Sequence, residues 1–280
     1  LEAEYDFWVT RRGTPTGLSH YGHDATEAYL LEFYQHLKQV RLPLPEASDA
    51  EKIYVAGHRL AEAESGYDFT PRFEGRCADF LAVDLNSNLY RYEVLMQEFA
   101  QTLKNGQESQ WAERAQQRRR RINRFLWDEA TGLYRDYDYL NNRFSQVPSA
   151  ATFHPLWTGL ASNRQARRVI DNLKLFEYEY GITPCPPGER TYTYQWDYPN
   201  TWPPHALIVS EALDRYGFLM DGQRIRDKYL KLVYSVFQST GMLWEKYNAV
   251  TGNVQVNEEY KTPPMMGWTA GVYAAFSLRH

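Results

Sequence analysis

The stretch Gln195-Trp196-Asp197-Tyr198-Pro199-Asn200-Thr201-Trp202-Pro203-Pro204 sets flat aromatic faces beside fixed amide and carboxylate groups. Trp and Tyr offer apolar surface with a polar handle, and Asp, Asn and Gln offer directed acceptors and donors. That mixture suits a sugar, which is apolar on its ring faces and hydroxylated on its rim. Cleaving a glycosidic bond takes two carboxyl groups, one as acid and one as base or nucleophile. The sequence supplies two such groups far apart in the chain, each in an aromatic-rich stretch. Asp68 stands in Gly66-Tyr67-Asp68-Phe69-Thr70-Pro71-Arg72-Phe73, and Glu259 in Asn257-Glu258-Glu259-Tyr260-Lys261-Thr262-Pro263-Pro264-Met265-Met266-Gly267-Trp268-Thr269. Gly66 ends a helix and permits a sharp turn. Tyr67 and Phe69 shield the carboxyl of Asp68, which favours its protonated form. A helix-terminating Asx turn would also place an Asp here. At the second stretch, Glu258 is an equally acidic neighbour, and a solvated pair of glutamates before a helix is the plainer alternative.

The same segments offer groups to hold a sugar. Gln195, Asp197 and Asn200 can bond ring hydroxyls, and Trp196, Trp202 and Trp268 can stack on sugar faces, with Tyr67 and Phe69 as further walls. Arg72 can clamp a hydroxyl or orient Asp68. Asp84 and Asn86 suit a helix cap or a supporting role. Glu245-Lys246 is either a pocket-facing pair or a surface ion pair.

Composition narrows the field. The chain has 280 residues, a formal net charge of −4 and 15% aromatic residues, so no basic surface for nucleic acid is expected. Two cysteines, Cys77 and Cys185, cannot build a disulfide scaffold. No CxxC pair or HExxH spacing indicates a metal, and no apolar run reaches the roughly 20 residues that span a membrane.

Helical periodicity dominates the elements that must position these groups. Apolar residues spaced three to four apart predict helices over 27–40, 48–64, 83–103 and 109–126, with Ser48 and Glu51 as a capping box. Arg118 to Arg121 spread around one of these helices as a solvated face. Further helices are expected at 149–160, 162–174, 205–216, 221–239 and 269–278, about nine in all. Two hairpin-like stretches, 128–138 and 244–254, echo each other in Ala-Thr-Gly and Val-Thr-Gly turns. The absence of a Pro/Gly/Ser-rich linker leads to the expectation of one all-α domain over 1–280, made of antiparallel helix pairs.

The decapeptide from Gln195 resembles the second signature of the trehalase family (glycoside hydrolase family 37), Gln-Trp-Asp-x-Pro-x-small-Trp-x-Pro, with Thr201 where Gly or Ala is usual. Glu64-Ser-Gly-Tyr-Asp-Phe69 resembles the family's Glu-Ser-Gly-Trp-Asp-Phe, whose Asp is the general acid. Glu259-Tyr260 followed by Gly267-Trp268-Thr269 resembles its Glu-Tyr and Gly-Trp-Thr-Asn-Gly, with Ala270 in place of Asn. Val254 to Asn257 stand where glycines are usual. Glu245-Lys246-Tyr247 and Val83-Asp84-Leu85-Asn86 are similar to family segments; Tyr21 corresponds to the Tyr of the family's Asn-Arg-Tyr-Trp-Asp and Glu27 to the Glu of the following Arg-Pro-Glu-Ser, which contacts the second glucose, while the expected Trp and Arg are replaced.

The resemblance implies an (α/α)6 barrel and an inverting mechanism, with Asp68 as acid and Glu259 as base roughly 6.5–9.5 Å apart. No cofactor or metal is implied. The substrate is a small carbohydrate, with trehalose the leading candidate. A related barrel glycosidase acting on glucosylglycerate or mannosylglycerate, or a non-catalytic sugar-binding module, is the alternative. The family's first signature, PGGRF, is missing, and fewer helices are expected than six pairs require. The chain is therefore expected to correspond to the C-terminal two-thirds of the domain, either as a fragment or with the missing helices on a second chain. A cytoplasmic location is favoured over a periplasmic or secreted one.

Overall fold

The computed structural model describes residues 1–190, 192–256, 260–264 and 267–279. Among them are ten α-helices: α1 (Glu2–Asp6), α2 (Glu27–Val40), α3 (Asp49–Ser65), α4 (Val83–Leu103), α5 (Glu108–Phe125), α6 (His154–Trp157), α7 (Asn163–Asp171), α8 (Pro203–Arg215), α9 (Leu219–Thr240) and α10 (Gly267–Ser277). Local chemistry sets their ends. The Ser48 hydroxyl accepts from the Glu51 amide while the Glu51 carboxylate accepts from the Ser48 amide, closing the expected capping box of α3. Gly66 then ends α3 in the left-handed region, φ 75°. Pro203 starts α8 at a position where its missing N–H costs nothing.

Short connections make antiparallel hairpins of α2 with α3, α4 with α5 and α8 with α9, while α10 packs on α8 and α9, and α6 on α4 and α8. The largest apolar core joins α5 and α7 to α8, α9 and α10, and includes Ile122, Phe153, Leu213, Leu232 and Phe276. Two smaller cores lie beside it. One packs Tyr5, Phe73, Phe80 and Trp111 around α3 to α5, and the other packs Tyr34, Leu37, Phe69 and Tyr194 around α2 and α3.

The expected helix at 149–160 is instead a 3-10 turn over Ala150–Phe153 and the single turn α6. Pro155 has no N–H to extend the helix backwards. α1 and the π-turn Phe7–Arg11 lie in an aromatic stretch whose spacing carries no clear period. Arg118 does not join a solvated face. It is buried and donates to Glu93 at 2.7 Å, as does the hydroxyl of Tyr5 at 2.7 Å.

All strands are two residues long. Trp127–Asp128 pairs with Leu133–Tyr134 as the expected hairpin. Tyr247–Asn248 pairs with Asn200–Thr201 instead of closing a hairpin of its own. The echoed turns are nonetheless the same device. The Asp128 carboxylate accepts from the amides of Ala130 and Thr131, and the Asn248 side-chain oxygen from those of Val250 and Thr251.

Candidate active site

The loop after α3 is built to present Asp68. The Ser65 hydroxyl donates to the carbonyl of Glu62 at 2.6 Å and accepts from the amide of Tyr67 at 3.0 Å. Phe69 then takes φ 58°, a left-handed conformation that disfavours an aromatic side chain. A residue held there costs about 1–3 kcal/mol and persists only when its surroundings over-determine it. They do so here: the Phe69 amide donates to the Glu62 carboxylate at 3.2 Å, and the Phe69 carbonyl accepts from the Trp196 amide at 3.2 Å. Glu62 is fully buried and held by Arg59 at 2.8 and 2.9 Å.

Asp68 itself is half-buried. The side-chain amide of Gln195 donates to its carboxylate at 2.9 Å and to its backbone carbonyl at 3.2 Å. Burial pushes its carboxyl above the usual carboxylate range. Its own amide, Arg41 and the Trp196 indole pull the other way, and the charge of Glu245 adds to the rise.

The Gln195 loop is braced by its own side chains. The Gln195 carbonyl accepts from the Asn200 amide group at 2.8 Å and from the Trp202 indole at 3.1 Å. Asp197 accepts from Arg190 at 2.5 and 3.1 Å and from the Tyr198 amide at 2.8 Å. The Tyr198–Pro199 peptide is cis. Trp196 lies on Trp202 with centroids 3.9 Å apart and planes 7° apart, and Trp268 meets both edge-on at 6.3 and 5.6 Å. Tyr67 tilts against Trp196 at 4.8 Å.

Of the residues singled out in the sequence, Asp68, Tyr67, Phe69, Gln195, Trp196, Trp202 and Trp268 therefore share one neighbourhood. Gln195, Trp196, Trp202, Asp197 and Asn200 are buried, and the polar groups of Trp202, Asp197 and Asn200 brace the loop. Arg72 lies beneath the site, 1% exposed, donating to Asp136 at 2.9 and 2.7 Å and to Asp84 at 2.6 Å. Asp84 also accepts from the Tyr21 hydroxyl at 2.8 Å. Burial, aided by the Arg72 charge and opposed by that of Asp84, lowers the pKa of His154 to about 4 and that of His205 to about 3. Asn86 ties α4 to Ser19 through both its amide atoms, at 2.9 and 2.8 Å. Glu27 is exposed in the first turn of α2, whereas Arg41 at the other end of that helix reaches Phe69. About 20 Å of helix separate them, so Glu27 is not brought to Asp68.

Asn257, Glu258 and Glu259 lie outside the described residues. Glu245 and Lys246 are a buried ion pair at 2.9 Å, not a surface one. The Tyr260 hydroxyl donates to the same Glu245 oxygen at 2.5 Å, and Lys246 stands 4.3 Å from the Tyr260 ring and 4.9 Å from that of Trp202. Arg41 stands over the rings of Phe69 and Tyr260 at 5.0 and 5.3 Å. Arg41, Glu62 and Tyr260 were not singled out from sequence. Tyr260 could have been, from its place beside Glu259. Nothing in the spacing of Arg41 or Glu62 ties them to Asp68. Among the described residues no group of three His, Cys, Asp or Glu side chains is placed to hold a metal, and no helix is long and apolar enough to cross a membrane.

An acid held above its usual range beside stacked indoles is suited to protonating a leaving oxygen next to a sugar ring. The trehalase family model matches residues 1–279. Cytosolic neutral trehalase from Kluyveromyces lactis is 35% identical over 224 residues, covering 72% of this chain and 30% of that protein. The cytosolic neutral trehalase of Saccharomyces cerevisiae is 32% identical over 214 residues, covering 70% and 28%. Among solved structures, neutral trehalase Nth1 from Saccharomyces cerevisiae superposes with a TM-score of 0.80 at 26% identity, covering 99% of this chain and 56% of that one. A mannosylglycerate hydrolase from Thermus thermophilus is similar in fold, with a TM-score of 0.60 at 19% identity over 90% of this chain and 60% of that one. The chain thus spans about a third of the curated relatives' length and about half of the solved structure. The fold is an all-α barrel of helix pairs.

Proposed function

Because the chain belongs to the trehalase family, we propose that it carries the acid and the base of an inverting glycoside hydrolase that cleaves trehalose to two glucose molecules. Asp68 gives its proton to the bridging oxygen as the bond to the anomeric carbon breaks. Glu259 takes a proton from the water that attacks the opposite face of that carbon. Asp68 leaves the step as an anion and Glu259 as an acid, and exchange with solvent restores both. The observation that carries this proposal is the Asp68 carboxyl itself, half-buried, bonded by Gln195 and raised by burial. Arg41 faces it as the charge that steadies the anion once the proton has left. Trp268 is the proposed ring-stacking face, backed by the buried Trp196–Trp202 stack, with Tyr67 beside them. Arg72, Asp197, Asn200 and Trp202 are proposed to hold the loops in place without touching sugar.

Residues 1–280 are proposed to form one barrel domain that acts on a small carbohydrate, without a cofactor, in the cytoplasm, the compartment named for the Kluyveromyces lactis and Saccharomyces cerevisiae relatives. The test is hydrolysis of trehalose, glucosylglycerate and mannosylglycerate by the protein in its native full-length context. Cleavage of trehalose above the other two supports the proposal, provided that Asp68→Asn and Glu259→Gln each abolish turnover. Preference for mannosylglycerate would move the assignment to another glycoside. Sugar binding without cleavage would make the chain a binding module.

A further inference from the structure

Glu245 holds Tyr260, which shares Arg41 with Phe69 of the loop bearing Asp68. The Glu245 side chain accepts from the Tyr260 hydroxyl and from Lys246, at 2.5 and 2.9 Å. Its backbone grips the same segment farther along. The Glu245 amide donates to the Pro263 carbonyl at 3.3 Å, and its carbonyl accepts from the Trp268 indole at 3.2 Å. The carbonyl of Trp244 accepts from the Thr269 hydroxyl at 2.7 Å. Tyr260, the first residue held, directly follows Glu259 in sequence. On its other side Tyr260 shares Arg41 with Phe69, the residue after Asp68.

A buried Glu–Lys pair is costly to desolvate, and an anchor made only for stability would be served as well by uncharged groups. Resting on the assignment of Asp68 as the acid, the geometry points to Glu245 as a positioning residue that, through Tyr260, Pro263 and Trp268, holds the segment directly following the proposed base. Among the described residues, the groups facing Asp68 include Arg41 from the end of α2, Gln195 and Trp196 from the decapeptide loop, and Glu245 and Tyr260 from the segment after α9. Arg41 and the Trp196 indole favour the anion; Glu245 opposes them. Replacing Glu245 by Gln removes the opposing charge and leaves the Lys246 ammonium without its carboxylate. Both changes weaken the hold of Asp68 on its proton.

The test is the pH profile of trehalose hydrolysis by the full-length protein, for wild type, Glu245→Gln and Tyr260→Phe, with folding checked by circular dichroism. Absence of wild-type hydrolysis would remove the acid assignment, and this role with it. Given wild-type activity, Glu245→Gln should move the alkaline limb of kcat/KM to lower pH and reduce kcat by about 10–100-fold with KM little changed, the size of loss that misplacement of a reacting group produces. Tyr260→Phe should lower kcat without moving that limb down. A folded Glu245→Gln protein with wild-type kcat and limb overturns the inference. If that variant does not fold, Tyr260→Phe decides: unchanged kcat overturns the role, and reduced kcat at constant KM supports it.

Discussion

The Gln195 side chain spans 127 positions of sequence to hold Asp68 twice, through its carboxylate at 2.9 Å and its backbone carbonyl at 3.2 Å. The amide thus orients the proposed acid and also fixes the loop that carries it. A hydrogen bond to a charged group contributes about 1.5–3 kcal/mol, which corresponds to roughly 10–100-fold in rate. Gln195→Leu should lower kcat by about that factor with KM little changed, because the backbone bonds from Asn200 and Trp202 to residue 195 survive. Steady-state kinetics on trehalose measure it, and an unchanged kcat would refute the role.

Asp68 should be a liability to stability as well as a proposed acid. Its carboxyl is raised above its unfolded value, so between those two values the native state binds more protons than the unfolded one. Stability is therefore lost as pH rises through that window, and the loss is complete above the folded pKa. Asp68→Asn should unfold at a higher Tm than wild type at neutral pH, and the gap should close as pH falls below the ordinary carboxylate range. Thermal melts across pH check this; an equal or lower Tm at neutral pH contradicts it.

Much of this site was legible in the sequence, and the rest fails for a common reason. Capping and periodicity place α2, α3, α4, α5 and α9, because the relevant contacts lie within a few residues. Asp68 and Gln195 stand out because their neighbours are chemically unusual. Arg41, Glu62 and Arg190 do not, because their importance lies in partners that only the tertiary arrangement brings near: Phe69 and Tyr260 for Arg41, the strained Phe69 peptide for Glu62, and Asp197 for Arg190. The pairing of Asn200–Thr201 with Tyr247–Asn248 was hidden in the same way, since a hairpin within 244–254 satisfies the local pattern equally well. Arg118 shows the converse error, a charge run that conceals one buried member.

Arg72 is the keystone of the buried network beneath Tyr67. It bonds two buried carboxylates, Asp84 and Asp136, and its own positive charge stays firmly in place. Removing one partner of a buried ionic group costs about 3–5 kcal/mol, because the other charges stay buried and uncompensated. Arg72→Leu should therefore lose about 3–5 kcal/mol in urea unfolding or fail to accumulate as folded protein. A loss below about 1 kcal/mol, the range of exposed pairs, would show that the network is not needed.

Thr201 and Gly181 are matched. A methyl group added at Gly181 would stand 2.6 Å from the Thr201 hydroxyl and 3.2 Å from its Cβ. Thr201 is itself buried in the short strand facing Tyr247, so it has little room to yield. Gly181→Ala should destabilise by about 1–3 kcal/mol, the usual cost of overpacking. Adding Thr201→Ala should recover most of that loss, giving a coupling in a double-mutant cycle. Additive effects would contradict the contact.

The central claim is that Asp68 delivers a proton while water enters from the opposite face of the sugar. Proton NMR of the first minutes of trehalose cleavage by the full-length protein tests it most directly, by resolving the two glucose anomers before mutarotation. Inversion predicts α- and β-glucose in equal amounts at the outset, and no product with Asp68→Asn. Release of α-glucose alone, or continued cleavage by Asp68→Asn at near wild-type rate, would contradict the account.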